Sequence, residues 1–126
     1  MSGPVTDYER VGGHDGLRTL IERFVDWMFD DFIIGFLFMG RDRERIVRHE
    51  VEHASRVLGG PPAYTGRPLG RTHGPLRINR GHFRRRLAIL RTVLQEGGVD
   101  DDVIARWIAH DERLEKVITD GTDCVE

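Results

Sequence analysis

Histidine is the residue type through which this sequence could do chemistry, since the chain has six histidines and a single cysteine. His49 and His53 stand four residues apart with Glu50 between them, which gives the pattern H-E-x-x-H. In zinc hydrolases with this pattern, two histidines on one helical face bind Zn²⁺ and the glutamate activates water. Here Glu52 occupies a position that is usually uncharged, and no third ligand follows at a known spacing. The pattern therefore suggests a helical zinc hydrolase, but incompletely, and we keep this function as an alternative hypothesis.

The same stretch has a second interpretation, because its helical register puts polar and aliphatic groups side by side. Residues three or four apart share one face of a helix. That face carries imidazoles and a carboxylate next to aliphatic groups, at Ile46, His49, Glu50, His53, Ala54 and Val57. These histidines either contact solvent at the edge of a buried stripe or bind a ligand, and the helix alone leaves both open.

A further histidine, His73, lies in an irregular segment from Pro61 to Arg77 that is rich in proline and glycine. A long segment without regular structure inside a compact helical domain is usually functional. We expect this segment to hold a ligand, with a short helical turn over residues 69–73.

The elements around these histidines are all predicted to be helices, because apolar residues recur at three- and four-residue steps and no stretch alternates with a period of two. One helix begins near residue 14 and carries Leu17 to Phe29, and short turns cover residues 8–11 and 33–39. A second helix runs from Arg43 to Leu58 and stops at a double glycine. Asn79 and Asp100 are the predicted N-caps of the last two helices.

Composition bounds the chain to one globular domain. It has 126 residues, of which 39% are hydrophobic and 32% charged, with a net charge of −2. We expect a flexible N-terminus at 1–7, a domain at 8–119 and a tail at 120–126.

The cluster Arg84 to Arg86 is interpreted as a solvated helix face, so no nucleic acid partner is expected. No apolar run could span a bilayer, and we expect a cytoplasmic protein without a membrane partner.

The order of several motifs resembles the truncated globins, and within them group 1. A double glycine, Gly59-Gly60, precedes the loop Tyr64-Thr65-Gly66. His73, Ile78 and the pair His82-Phe83 then follow in that order. Gly12-Gly13 and Phe38 are further matches, and the resemblance covers residues 8–119.

The resemblance implies an all-α, two-over-two helical sandwich around one haem b, with His73 as the proximal iron ligand. The haem is expected to be held non-covalently, because the chain has no Cys-x-x-Cys-His motif. Imidazole is the usual axial ligand in globins. Arginines, Arg67 among them, are expected to pair with the propionates. The expected haem-contacting residues are Phe24, Phe38, Ile46, Leu69, Ile78 and Phe83.

Three positions depart from the family pattern. Val25 replaces a tyrosine that in many members hydrogen-bonds the ligand, Glu50 stands where a glutamine is common, and Ile46 cannot donate a hydrogen bond. His49 matches a position that supplies a second axial histidine in some cyanobacterial and algal members. His49 is therefore a candidate distal iron ligand, with a contact to a propionate as the alternative.

The implied function is reversible binding of oxygen, nitric oxide or carbon monoxide. This binding would serve oxygen transport, a redox role or detoxification, and a reductase is the possible partner. Whether the chain is an enzyme, such as a nitric oxide dioxygenase or a peroxidase-like protein, stays open. The alternatives are the zinc hydrolase and a haem-free globin-like sensor or interaction module.

Overall fold

The structure is a computed structural model that describes residues 5–61 and 79–119, with side chains described as far as residue 115. Every element in these ranges is helical, which confirms the all-α prediction. We number the α-helices in chain order and refer to the remaining element as the 3₁₀ helix. The elements are α1 (Asp7–Arg10), α2 (Gly13–Asp30), the 3₁₀ helix (Gly35–Phe38), α3 (Arg43–Val57), α4 (Arg80–Glu96) and α5 (Asp101–Thr119).

Local capping chemistry explains where these helices begin. The Asn79 side chain accepts a hydrogen bond from the backbone N–H of His82, which confirms the predicted N-cap of α4. Asp42 caps α3 in the same way through Glu44 and Arg45. Thr6 and Glu9 form a reciprocal capping box at α1, which the sequence analysis missed. Thr6 and Asp7 thus already belong to ordered structure within the N-terminal segment 1–7.

The double glycine after α3 fixes the junction with α1. Gly59 has φ +82°, a conformation that side chains rarely adopt, and the Gly60 N–H donates to the Ser55 carbonyl at 2.8 Å. A Cβ at Gly60 would lie 2.5 Å from the Tyr8 ring, so only glycine admits this ring. The Tyr8 N–H also donates to the Leu58 carbonyl. The predicted C-terminal end of α3 is therefore also the surface on which α1 packs.

The four long helices pack as two pairs. α2 packs on α3 and α4 packs on α5, while α2 also contacts α4 and α3 contacts α5. The stripe predicted for α2 forms the middle of the core, and Trp107 of α5 is 1% exposed. This arrangement confirms the two-over-two expectation. Among the described residues, no helix is long and apolar enough to cross a membrane.

Asp31 holds the turn that leads from α2 into the 3₁₀ helix. Its carboxylate accepts hydrogen bonds from the backbone N–H groups of Ile33 and Ile34 and forms a two-nitrogen pair with Arg85 of α4. The Arg85 guanidinium holds the pKa of Asp31 below its usual range, although partial burial works in the opposite direction. Asp31 thereby positions the element that carries Phe38.

Replacing Asp31 with alanine should lower the free energy of unfolding by about 1–3 kcal/mol, because two backbone donors and Arg85 lose their acceptor. The Asp31 pKa is lowered on folding, so its contribution is complete above the unfolded value of about 3.9 and is lost as the pH falls through the folded value. The difference between wild type and variant should therefore shrink below about pH 4. Urea unfolding at several pH values measures it. Asp30→Ala, at the exposed neighbouring position, is the control and should change stability by less than about 0.5 kcal/mol. An equal loss in both variants would contradict the role given to Asp31.

Candidate functional site

The described residues predicted to line a ligand pocket come from α2, the 3₁₀ helix, α3 and α4. Phe24 and Phe83 are fully buried, and Phe38 is buried and stacks on Phe29 with ring centroids 5.2 Å apart. Ile46 and His49 are half-buried on α3. We refer to the three buried phenylalanines Phe24, Phe38 and Phe83 as the aromatic wall. His49 adds an imidazole that makes no hydrogen bond or ion pair with the described residues.

The remaining predicted site residues lie outside the described residues. These are the predicted proximal ligand and three of its expected neighbours, namely His73, Arg67, Leu69 and Ile78. Their roles stay predictions.

Arg86 lies against two rings of the aromatic wall. Its guanidinium carbon lies 5.1 Å from the centroid of the Phe24 ring and 5.7 Å from that of Phe83. A guanidinium at such distances over ring faces is attracted by the ring quadrupoles. The interpretation of Arg84 to Arg86 as a solvated face is wrong for Arg86, which is 7% exposed. It is also wrong in part for Arg85, because that side chain pairs with Asp31.

Two buried carboxylates compensate the charge of Arg86. Nη2 donates to Oε1 of Glu50 at 2.7 Å, and Nη1 donates to Oδ2 of Asp111 at 3.3 Å. Burial alone would lower the pKa of Arg86, but the charges of Glu50 and Asp111 outweigh it and raise that pKa. The side chain therefore stays protonated and links α4 to both α3 and α5. We call Arg86, Glu50 and Asp111 the buried charge cluster.

His53 extends this cluster on the side of α5. Its Nε2 lies 3.1 Å from Oδ1 of Asp111, and its ring centroid is 5.6 Å from that of His110. Burial raises the pKa of Asp111, but the hydrogen bond from His53 and the charge of Arg86 outweigh it, so the net shift is downward. Asp111 is therefore an ionised carboxylate in the interior.

These contacts do not support the zinc hydrolase alternative. The Glu50 carboxylate accepts a strong hydrogen bond from Arg86, so it is not free to act as a base toward water. His53 is bonded to Asp111 rather than arranged with His49 around a shared ion. H-E-x-x-H is thus a match in sequence alone.

Arg86 and Asp111 are the residues that the sequence analysis missed. A signal for Arg86 did exist, because it stands three residues after Phe83 and four before Leu90, within the apolar stripe of α4. Glu50 likewise stands between Val47 and Val51 on the buried face of α3. A charged side chain inside an apolar stripe needs a partner of opposite charge. Arg86 in one stripe and Glu50 in another therefore predict an ion pair between α4 and α3.

The described residues of this site can be compared with what a haem requires. A flat apolar macrocycle needs aromatic and aliphatic walls that exclude water, and its metal needs a nitrogen donor. Phe24, Phe38 and Phe83 provide such a wall, and His49 provides an imidazole without another partner in the described part of the chain. The charges of Glu50 and Arg86 compensate each other at this wall. The residues present therefore fit the group.

Comparison with known proteins identifies the family of the chain. Residues 6–120 match the family described as bacterial-like globin. A group 1 truncated hemoglobin of Mycolicibacterium paratuberculosis is 33% identical over 103 residues, which cover 81% of this chain and 75% of that protein.

Solved structures show the same fold. The truncated hemoglobin of Tetrahymena pyriformis superposes with a TM-score of 0.82 at 24% identity, covering 90% of this chain and 97% of that chain. The 2/2 hemoglobin of Synechococcus, solved with covalently attached heme, superposes with a TM-score of 0.81 at 22% identity over 91% of this chain and 98% of that chain.

Proposed function

The chain belongs to the family of bacterial-like, truncated globins, and on this premise we propose that it binds one haem b non-covalently and reversibly binds a diatomic gas there. The observation that supports the proposal is the burial of Phe24, Phe38 and Phe83 together with a half-buried imidazole, His49, that has no hydrogen-bond partner among the described residues. When bound, the haem supplies an iron that takes a diatomic ligand such as oxygen, nitric oxide or carbon monoxide. The wall residues exclude water from that ligand.

His73 is the proposed proximal ligand. Its support is its place in the sequence, between the Tyr64 loop and the start of α4, in the order of the family motif. Leu69 and Ile78 would complete the apolar wall on that side, and Arg67 would pair with a propionate. His49 is the proposed ligand of the opposite side, because its nitrogens have no partner among the described residues.

Arg86 supplies the hydrogen-bond donor that the absent tyrosine would have provided. Val25 and Ile46 have no polar side-chain atom, and an ionised Glu50 only accepts. A guanidinium has five N–H groups, of which Glu50 and Asp111 each engage one. We propose that a remaining N–H of Arg86 donates to a polar gas ligand in the pocket. Carriage of oxygen, a redox role with a reductase, and a cytoplasmic location complete the proposal.

Replacing His73 with alanine should abolish or greatly weaken haem retention, because the protein loses its own strong axial bond. The intense absorption band near the violet edge of the spectrum reports haem, measured after gel filtration of protein reconstituted with one equivalent. His14→Ala, at an exposed histidine, is the matched control and should retain haem fully. An unchanged spectrum in His73→Ala would refute the assignment, and absence of the band in wild type would refute the proposed function.

If His49 binds the iron, the ferric protein should be six-coordinate and low-spin near neutral pH. Acidification should remove that signature, because a protonated imidazole has no free lone pair. Electron paramagnetic resonance and visible spectra of wild type and His49→Ala measure it. Identical ferric spectra for the two proteins would show that His49 is not a ligand.

Loss of the Arg86 donor should accelerate oxygen release by roughly ten- to a hundredfold, since a hydrogen bond to a charged group contributes about 1.5–3 kcal/mol. The test protein carries Arg86→Leu together with Glu50→Leu, because replacing both partners removes the Arg86–Glu50 pair without leaving either charge behind, while Asp111 keeps its contact with His53. Glu50→Leu alone is the control, in which Arg86 still pairs with Asp111. Stopped-flow release rates and the infrared stretch of bound carbon monoxide are the readouts. Equal rates and bands in the two variants would refute the role of Arg86.

A further inference from the structure

We infer that His53, His110 and Asp111 form a binding site for a divalent transition metal, with Zn²⁺ as the ion whose preferences they fit best. The site lies where α3 meets α5, and one donor atom from each residue lies within 4.8 Å of the other two. The inference does not rest on the proposed haem function, because its metal ligands include neither His73 nor His49.

The spacing of the donor atoms matches a tetrahedral ion. With metal–ligand distances of about 2.0–2.2 Å, neighbouring ligands of tetrahedral Zn²⁺ lie about 3.3–3.6 Å apart. Oδ1 of Asp111 lies 3.1 Å from Nε2 of His53 and 3.5 Å from Nδ1 of His110. The two histidine nitrogens lie within 4.8 Å of each other, so an ion held by all three atoms requires at most a modest adjustment of the side chains.

His110 supplies the independent sign of a missing partner. Its Nδ1 is buried and has no hydrogen-bond partner in the described part of the chain. Buried polar atoms without a partner are rare in native proteins, and a bound ion is one of the recognised explanations. Nδ1 lies 3.5 Å from Oδ1 of Asp111 without forming a hydrogen bond, so a cation bound between the two atoms would satisfy both.

Burial and access are also suited to an ion. The side chains of His53 and Asp111 are 11% and 1% exposed, whereas that of His110 is 36% exposed. The ion would enter from the side of His110 and retain a water molecule as its fourth ligand. Two imidazoles and one carboxylate are a common transition-metal donor set.

Arg86 orients the carboxylate for this role. It donates to Oδ2 of Asp111 and leaves Oδ1 directed at the two histidines. Such outer-shell hydrogen bonds fix ligand orientation in metal sites. The cluster of Arg86, Glu50 and Asp111 has one positive and two negative charges, so its net charge favours a cation. Binding requires an unprotonated Nε2 on His53, and any proton there passes to solvent.

The experiment is a calorimetric titration of the haem-loaded full chain with Zn²⁺ alone, with Cys124→Ser in every protein so that no thiol competes. Haem occupies His73 and His49 under the proposed function. Wild type should bind one Zn²⁺ per chain, and its thermal midpoint should rise with Zn²⁺. His53→Ala and His110→Ala should each weaken Zn²⁺ binding by about a hundredfold or more. Loss of a partner that only orients a ligand already costs about ten- to a hundredfold in metal affinity. Zinc-edge X-ray absorption should show nitrogen and oxygen ligands at about 2.0–2.2 Å.

His14→Ala is the control for a histidine outside the site, and it should bind Zn²⁺ like wild type. The visible spectrum measures haem separately, so failure of the haem proposal is recognised independently. In that case the titration is repeated in a His49→Ala, His73→Ala background, which removes the competing imidazoles. Absence of stoichiometric binding in wild type, or equal affinity in His110→Ala and wild type, would overturn the inference.

Discussion

The packing of the two helix pairs depends on the burial of one guanidinium. Moving a charged group out of water costs several kcal/mol even after relaxation, and only close opposite charges with good hydrogen bonds offset that cost. Arg86 meets this condition because Glu50 reaches it from α3 and Asp111 from α5. A shift of either helix would leave a buried charge without its partner. The buried charge cluster therefore specifies how α3 and α5 approach α4, whereas apolar contacts alone tolerate sliding.

The same cluster gives the aromatic wall its chemical character. Phe24 and Phe83 would form an apolar surface by themselves, but the guanidinium over both rings puts hydrogen-bond donors there. Replacement of a buried ion pair by apolar residues is often neutral or stabilising in other proteins. The pair at this wall therefore contributes polarity and a defined arrangement of the helices rather than stability alone.

Asp111 couples this wall to the junction of α3 and α5. One carboxylate oxygen accepts from Arg86 and the other lies beside His53, so the two sides share one ionised group. Groups within one hydrogen-bond network act non-additively. A change in the protonation or bonding of His53 is thus expected to affect the Arg86 guanidinium through the carboxylate of Asp111. At the C-terminal end of α2, Asp31 and Arg85 form a separate pair that holds the turn leading to Phe38.

The sequence by itself determined the helices and their ends, because those depend on neighbours a few residues apart. Asn79 caps α4 through an N–H three residues away, and Gly59-Gly60 ends α3 through bonds within one turn. Periodicity likewise placed Phe24 and Phe83 on buried helix faces, whereas Phe38 and the truncated globin family were identified from the order of motifs. Tertiary structure alone decided the partners of the charged residues. Arg86 meets Glu50 across 36 residues of sequence and Asp111 across 25, and His53 meets Asp111 across 58. Periodicity places a side chain on a helix face, but the packing of helices distant in sequence decides what that face meets.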